Sequence, residues 1–295
     1  MKTNKLFLIA ALLGTVLAGC QKVSEIQNPE EKPENNQTWT LKVLATKDVD
    51  TRALNYDENT TMKPYWKKGE KVSVLFDGEK IGTLTVTSDD HATPATLEGT
   101  VTADGLSEGD ELTLLFPGRP DDAWTYLGQT GGLPEPYDYA TAALQVASLD
   151  AATQTINVSS ESVQFTNEQS IYRFTFKVGG AGDAITAKSF IVASDAGQLV
   201  RSRAYENSTW TSTVGNLFVN STATAPYLMS IRNENTGADR YTFSVVGSNN
   251  ELYIGEKALT KGVNNGKFYN ATVSVTQKTF TPGEEGSIES AEGVL

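Results

Sequence analysis

The feature that most constrains the fold is an alternation of polar and apolar residues, in short runs separated by turn residues. The alternation starts at residues 38–43 and continues to about residue 277, and a period of two is typical of half-buried β-strands. Threonine, valine, tyrosine and phenylalanine fill the runs, and Asp-Gly, Gly-Gly and Asn-Gly pairs lie between them. Long helical periodicity is missing. We therefore predict an all-β protein made of antiparallel β-sandwiches.

The strand pattern has one clear interruption, which suggests two tandem domains. Residues 117–139 are rich in turn residues, and a fresh series of strand-like runs begins at residue 171. A chain of 295 residues is also long enough for two domains. We place an N-terminal domain at residues 38–167 and a C-terminal domain at residues 168–280, followed by a polar tail at residues 281–295.

The N-terminal residues predict export and attachment to lipid. Lys2 and Lys5 precede an apolar run over residues 6–18, and Cys20 follows Gly19. This order is that of a secretory signal peptide, and a cysteine at its end resembles the lipoprotein signal of bacteria, the lipobox. We interpret residues 1–20 as the signal and Cys20 as the lipidation site, with a plain signal peptide as the alternative. The apolar run is too short to span a bilayer as a permanent helix, and residues 21–37 form a polar linker.

Composition argues against several kinds of chemistry. The formal net charge of −12 disfavours a nucleic-acid partner. Cys20 is the only cysteine and His91 the only histidine, which leaves little material for a catalytic or metal site, and we interpret Asp89-Asp90-His91 as a polar turn. We predict no cofactor, no metal and no enzymatic activity. Four tryptophans could stack on sugars, although tryptophans in β-domains are more often part of the core.

One arginine suggests a maturation step. Residues 47–61 contain Asp, Thr, Asn and Glu and are predicted to form an exposed loop, where proteases cut. A cut between Arg52 and Ala53 would separate the first strand, with its inward residues Trp39, Leu41 and Val43, from the rest of the chain. The loss of a paired strand would open an apolar groove that recruits a strand from another chain. The alternative is an arginine in an ordinary loop.

Several stretches, in this order, resemble the fimbrillin family of the Bacteroidales, the subunits of type V pili. The lipobox cysteine is followed by the acidic spacer, the first strand and Thr51-Arg52-Ala53. The stretch at residues 66–74 then has the pattern Trp-x-x-Gly-Glu-x-Val-x-Val. Looser similarities to the same family cover four later stretches, at residues 114–117, 129–142, 172–176 and 266–273.

The resemblance implies an architecture and a life cycle. It implies two transthyretin-like sandwich domains and a palmitate-type lipid anchor on Cys20 in the outer membrane. An arginine-specific protease would cut at Arg52–Ala53, and assembly with other pilin subunits into an adhesive surface fimbria would follow by donor-strand exchange. The donor would be the tail, with four apolar residues: Ile288, Ala291, Val294 and Leu295. The alternative is a surface glycan-binding lipoprotein that keeps its anchor.

Overall fold

A computed structural model describes residues 37–47, 56–57, 61–62, 65–119, 123–132, 134–206, 209–260 and 262–279. These residues confirm the prediction of an all-β protein, because their only helical piece is a 3₁₀ turn at Glu135–Tyr137. No helix within the described ranges has the length and apolar character needed to cross a membrane.

The alternation of buried and exposed residues is clear in strands such as Gln37–Lys47 and Ser162–Asn167, whereas Tyr227–Ile231 is buried at every residue. We number the strands in chain order. They are β1 (Gln37–Lys47), β2 (Tyr56–Asp57), β3 (Thr61–Met62), β4 (Lys71–Phe76), β5 (Glu79–Val86), β6 (Ala95–Ala103), β7 (Glu111–Phe116), β8 (Ala123–Thr125), β9 (Ala140–Asp150), β10 (Thr155–Val158), β11 (Ser162–Asn167), β12 (Ser170–Val178), β13 (Ala187–Ser194), β14 (Val200–Glu206), β15 (Thr209–Val214), β16 (Leu217–Asn220), β17 (Tyr227–Ile231), β18 (Asp239–Gly247), β19 (Leu252–Leu259) and β20 (Phe268–Lys278).

The first sheet closes on itself into a barrel. Going around it, β1 pairs with β6, then follow β5, β4, β7 and β9, and β9 pairs with both β10 and β11. Those two short strands share one position in the ring, and both pair with β1. Closure leaves this sheet without the unpaired edges that an open sheet exposes.

The strand that closes the ring, β1, is hydrogen-bonded along both sides. It runs antiparallel to β6 from Gln37, opposite Ala103, to Ala45, opposite Ala95. On its other side it runs parallel to β10 and β11. Parallel neighbours differ from the predicted antiparallel arrangement. The residue pattern reports which face of a strand is buried and not which direction its neighbour runs, so it could not distinguish the two.

The second half of the chain forms a separate sheet of seven strands, in the order β16-β13-β18-β19-β20-β12-β17. Its pairs are antiparallel except for β12 and β20, which run parallel over their length. Aromatic side chains fill its core, where Phe176 packs edge-on against Phe190 and Phe243 with ring centroids 5.1 and 5.6 Å apart. Edge-to-face rings of this kind stabilise a core beyond the area they bury.

Residues 123–132 and 134–139 connect the two halves. Strand β8 pairs with β14 of the second half, which places Trp124 opposite Arg203, and β15 completes this small sheet. The side chain of Gln129 acts as a further piece of strand, because its amide donates to the carbonyl of Ser230 at 2.7 Å and its oxygen accepts from the Ser230 N–H at 2.7 Å. The turn-rich stretch is therefore the joint between the halves. The domain boundary at residues 167 and 168 stays a prediction.

A buried charge cluster lies at the same joint, close to the predicted boundary. Glu168 accepts a hydrogen bond from Arg203 at 2.7 Å, and Arg232 donates to both its carboxylate and its carbonyl. Burial alone would raise the pKa of the nearby Glu234 carboxyl, but hydrogen bonding and charge from Arg232 hold that pKa below its ordinary value. Each charge in the cluster thus has an opposite charge beside it, as buried charges require.

The contribution of β1 to stability can be measured at its centre. Leu41 is fully buried, so Leu41→Ala should lower the free energy of unfolding by about 3 kcal/mol, the usual cost of such a cavity. Urea unfolding followed by tryptophan fluorescence measures this change. Lys42→Ala is the matched control, because the neighbouring side chain is 63% exposed and its loss should change stability by less than about 0.5 kcal/mol. Equal effects of the two substitutions would contradict the placement of β1.

Candidate functional site at the first strand

The candidate site is β1 together with the interior surface that it covers. Every second residue from Trp39 onward faces the barrel interior, and the inward residues Trp39, Leu41, Val43 and Ala45 are each at most 5% exposed. Each fully buried Leu or Val side chain contributes about 1.5–3 kcal/mol relative to exposure. The structure thus brings together the three residues predicted to line a displaced strand. That the strand is displaced remains a prediction.

The inward alternation on β1 continues past Val43, through Ala45 to Lys47. Lys47 is the last residue of the strand, and only 3% of its side chain is exposed. The prediction that Lys47 begins an exposed loop is therefore wrong. The charge of a lysine favours a solvated loop, whereas its position in the alternation places it inside the barrel. Here the position decides, because partners for the charge are available in the interior.

The ammonium group of Lys47 occupies a slot with two acidic and two aromatic residues. Its Nζ lies 3.2 Å from Oδ2 of Asp138 and 3.8 Å from Oε2 of Glu70. The same nitrogen lies 3.9 Å from the centre of the Phe116 ring and 4.6 Å from that of the Trp66 ring. Carboxylates and ring faces both attract a cation. We call this group, formed by Trp66, Glu70, Phe116 and Asp138, the lysine slot.

The slot is assembled from three separate segments of the chain, and each overlaps a stretch that resembles the fimbrillin family. Trp66 and Glu70 belong to the turn before β4, where Gly69 has a φ of +87° that favours glycine. Phe116 ends β7, and Asp138 follows the 3₁₀ turn. The sequence marked these stretches as similar to a family, and only the fold shows that they meet around one side chain.

The electrostatics of the slot make it dependent on a cation. Burial raises the pKa of the Glu70 carboxyl above its ordinary value, while the charge of Lys47 and a hydrogen bond from the Lys67 amide act in the opposite direction. Asp138 is 5% exposed, and its Oδ1 accepts no hydrogen bond from the residues that the structure describes. Asp138 therefore relies on Lys47 for its counter-charge, whereas Glu70, with 25% of its side chain exposed, is stabilised by Lys47 and by the amide and the charge of Lys67.

The other predicted site residues fall outside the described ranges. These are the lipidation site Cys20, the bond between Arg52 and Ala53, and the tail residues Ile288, Ala291, Val294 and Leu295. The described chain approaches the predicted cut from both sides, because β1 ends at Lys47 and β2 begins at Tyr56.

Of the residues considered for other chemistry, Trp66 belongs to the lysine slot and His91 lies next to it, with its backbone N–H donating to the Trp66 carbonyl at 3.0 Å. His91 is exposed and stacks on Tyr65, with ring centroids 4.0 Å apart. In the part of the chain that the structure describes, no three His, Cys, Asp or Glu side chains are grouped as a metal site would require. Trp39, Trp66 and Trp124 are at most 5% exposed, so their faces are occupied by the core.

An open polar cleft of about 400 Å³ lies beside the barrel, where β9 passes from β10 to β11. Serine, glutamine and glutamate side chains dominate its lining, namely Glu111, Gln145, Ser159, Ser160, Ser162 and Gln164. Its described lining contains no aromatic ring. The cleft therefore lacks the flat apolar platform on which aromatic side chains bind sugars.

The strength of the slot can be tested in the intact protein. Lys47→Met leaves two buried carboxylates without their cation and should lower the free energy of unfolding by about 3–5 kcal/mol. The double variant Lys47→Met/Asp138→Asn should lose less free energy of unfolding than the two single variants lose together. The difference, which is the coupling energy, should be at least about 1 kcal/mol. Urea unfolding of the four proteins measures the cycle.

The matched control for this cycle is Lys42→Met, which alters the exposed pair between Lys42 and Glu98. It should change the free energy of unfolding by no more than about 1 kcal/mol. Additivity of Lys47→Met and Asp138→Asn within about 0.3 kcal/mol would show that the two side chains are not energetically coupled.

No protein-family model matches the chain, and no curated protein matches it. Similar solved structures include a Bacteroides uniformis protein described as a candidate cell adhesion protein, with 14% identity, a TM-score of 0.47, and coverage of 83% of this chain and 97% of that one. A fimbrial protein from Bacteroides ovatus is 12% identical, with a TM-score of 0.38 over 81% of this chain and 49% of that chain. The tip fimbrial protein Mfa3 of Porphyromonas gingivalis, with a C-terminal truncation, is 11% identical, with a TM-score of 0.39 over 82% and 98%. These three similar chains are described as fimbrial or cell-adhesion proteins.

Proposed function

We propose that this protein is a non-catalytic structural subunit of a cell-surface fimbria that supports adhesion. It is exported as a lipoprotein precursor with its lipid on Cys20 in the outer membrane. An arginine-specific protease cuts between Arg52 and Ala53, and the strand of another pilin subunit then takes the place of β1. In this proposal the two halves of the chain act as tandem sandwich-type domains.

The observation that carries the proposal is the position of β1 in both the barrel and the chain. β1 closes the ring by pairing with β6 on one side and with β10 and β11 on the other. It is also the first strand of the described chain, so one cut between β1 and β2 frees it from every later strand. Removal of any interior strand would require two cuts.

The groove that β1 would leave has the properties of a strand-binding site. It has an unpaired backbone edge on each side and an apolar floor. An extended segment can pair with both edges while its inward side chains cover the floor. Main-chain hydrogen bonds would hold the incoming strand, and the inward pockets would choose its side chains. For the outgoing contact, the tail at residues 281–295 is the candidate donor, with Ile288, Ala291, Val294 and Leu295 as the inserted side chains.

The glycan-binding alternative receives less support. Three of the four tryptophans are buried. The fourth, Trp210, packs against Trp124 at a centroid distance of 4.5 Å and is covered by Arg203 at 4.1 Å. A stacking platform for a sugar would need one of these ring faces to be open.

The cleavage step predicts the N-terminus of the mature protein. N-terminal sequencing of the protein sheared from cells should give Ala53, whereas Arg52→Ala should leave a lipid-tethered chain that begins at Cys20 and forms no fibres. Arg52→Lys is the matched control, because it keeps the charge but should still block a protease that requires arginine. Fibres of normal length from Arg52→Ala would exclude this cut.

The strand-exchange step can be separated from cleavage with a disulfide. Thr40 on β1 and Thr100 on β6 are exposed register partners, so Thr40→Cys/Thr100→Cys should form a bond that holds β1 in place after the cut. We expect this variant to be cut but unable to form fibres until a reductant is added. Thr40→Cys alone is the control and should polymerise without reductant. Polymerisation of the oxidised double variant would rule out displacement of β1.

A further inference from the structure

The lysine slot would outlast the strand that fills it. None of its four residues belongs to β1, since Trp66, Glu70, Phe116 and Asp138 lie in segments that follow it. After the removal of β1, the carboxylates of Asp138 and Glu70 would line a space walled by Trp66 and Phe116, without the ammonium group of Lys47. Restoring the barrel with an uncharged or acidic side chain at this point would leave the buried Asp138 without its counter-charge, which is costly.

The tail of this chain cannot provide what Lys47 provides. Residues 281–295 contain four glutamates, at positions 284, 285, 289 and 292, and neither lysine nor arginine. In any register, a strand from this segment would place a neutral or a negative side chain in the slot. Like charges that are brought together in a buried site repel one another strongly.

We propose that the lysine slot selects the strand that replaces β1, accepting a strand with a lysine at the position of Lys47 and rejecting the 281–295 segment of a second copy. This inference rests on the proposed function, since it needs β1 to be replaced. The partner that it identifies is a different subunit, whose donor strand alternates inward apolar residues and ends in an inward lysine. The tail of this chain then inserts into a different kind of subunit and not into a second copy of this chain.

The difference in affinity between strands with and without the lysine should be large, because the carboxylates of the ion pair belong to the recipient subunit. When both partners of a buried ion pair are exchanged for apolar groups, stability can be unchanged or increased. Here the incoming strand changes only one partner, so Asp138 is left buried without its counter-charge, which costs free energy whether the carboxyl stays ionised or takes up a proton. An incoming methionine fills a similar volume but leaves Asp138 and Glu70 without the ammonium group of Lys47. Strand selection therefore depends on one charge.

The test uses a full-length chain in which residues 48–55 carry the recognition sequence of a site-specific protease. After cutting and inactivation of the protease, fluorescently labelled peptides compete with the resident strand, and anisotropy gives the concentration of half-replacement. The probes are a peptide of residues 37–48, the same peptide with Lys47→Met or with Lys42→Met, and a peptide of residues 281–295. Because the lysine is varied on the peptide, the fold of the recipient stays the same.

We expect the Lys47→Met peptide to bind about 100-fold more weakly than the unchanged peptide, in line with the cost of an unpaired buried charge. The Lys42→Met peptide should bind within about threefold of the unchanged one, because Lys42 points outward. The 281–295 peptide should not compete. A recipient with Asp138→Asn/Glu70→Gln should lose the preference for lysine and bind the first two peptides alike.

The outcomes separate the two proposals. Equal binding of the unchanged peptide and the Lys47→Met peptide to the unchanged recipient, or competition by the 281–295 peptide at the same concentration, would overturn selection by the slot and leave strand exchange intact. A preference for lysine that persists in the Asp138→Asn/Glu70→Gln recipient would also overturn it. If no peptide replaces β1 under any condition, strand exchange itself fails, and the slot proposal fails with it.

Discussion

The closure of the first barrel by β1 is the constraint on which the rest of the structure depends. A sheet of short strands must bury one face and pair both edges, and a closed ring satisfies both requirements. Here the closing strand is also the first in the described chain. It pairs on one side with β6, the last of the consecutive strands β4, β5 and β6, and on the other side with β10 and β11. The pairs with β10 and β11 are the most distant in sequence among the described strand pairs of the barrel, and β1 is at once part of the core and separable by one cut.

A buried lysine at the end of such a strand is an unusual choice for stability. A well-packed apolar residue with apolar neighbours would often serve the core equally well or better. A buried ion pair is more selective, because each charged side chain is stabilised only beside a side chain of opposite charge. In a strand that stays in place this requirement has little use, whereas in a strand that is exchanged it becomes a criterion for the replacement. The slot therefore fits the proposed life cycle better than it fits a permanently closed barrel.

The slot is also connected to the second half of the molecule through Tyr139, the neighbour of Asp138. The Tyr139 N–H donates to the Gln169 side chain at 3.0 Å, and its hydroxyl donates to the carbonyl of Thr125 at 2.8 Å. Thr125 in turn ends β8, which pairs with β14. Asp138 is therefore held by the joint between the halves as well as by the barrel. In the proposed exchange, a rigid support of this kind would keep the carboxylate aligned with the side chain of the incoming strand.

The residue pattern alone determined the class of structure and much of the strand content. The period of two predicted strands and the inward faces, including Trp39, Leu41 and Val43, because burial of alternate side chains is a local property of a pleated chain. Strand direction and pairing were not accessible in this way, and residues 117–139 carried no signal that they join the two halves. Their role depends on contacts such as that of Gln129 with Ser230, 101 residues away in sequence.

The tertiary structure alone decided the chemistry of the site. The stretches around Trp66, Phe116 and Asp138 were recognised by similarity, and Lys47 continued the inward alternation, yet nothing in the sequence paired them. Lys47 and Asp138 are 91 residues apart. The periodicity of the sequence reports only local structure, so it does not reveal an ion pair between residues that far apart. The sequence therefore determined which strand is first and which of its faces is buried. Only the closure of the barrel brought a lysine and two carboxylates into one desolvated space, where their charges depend on each other.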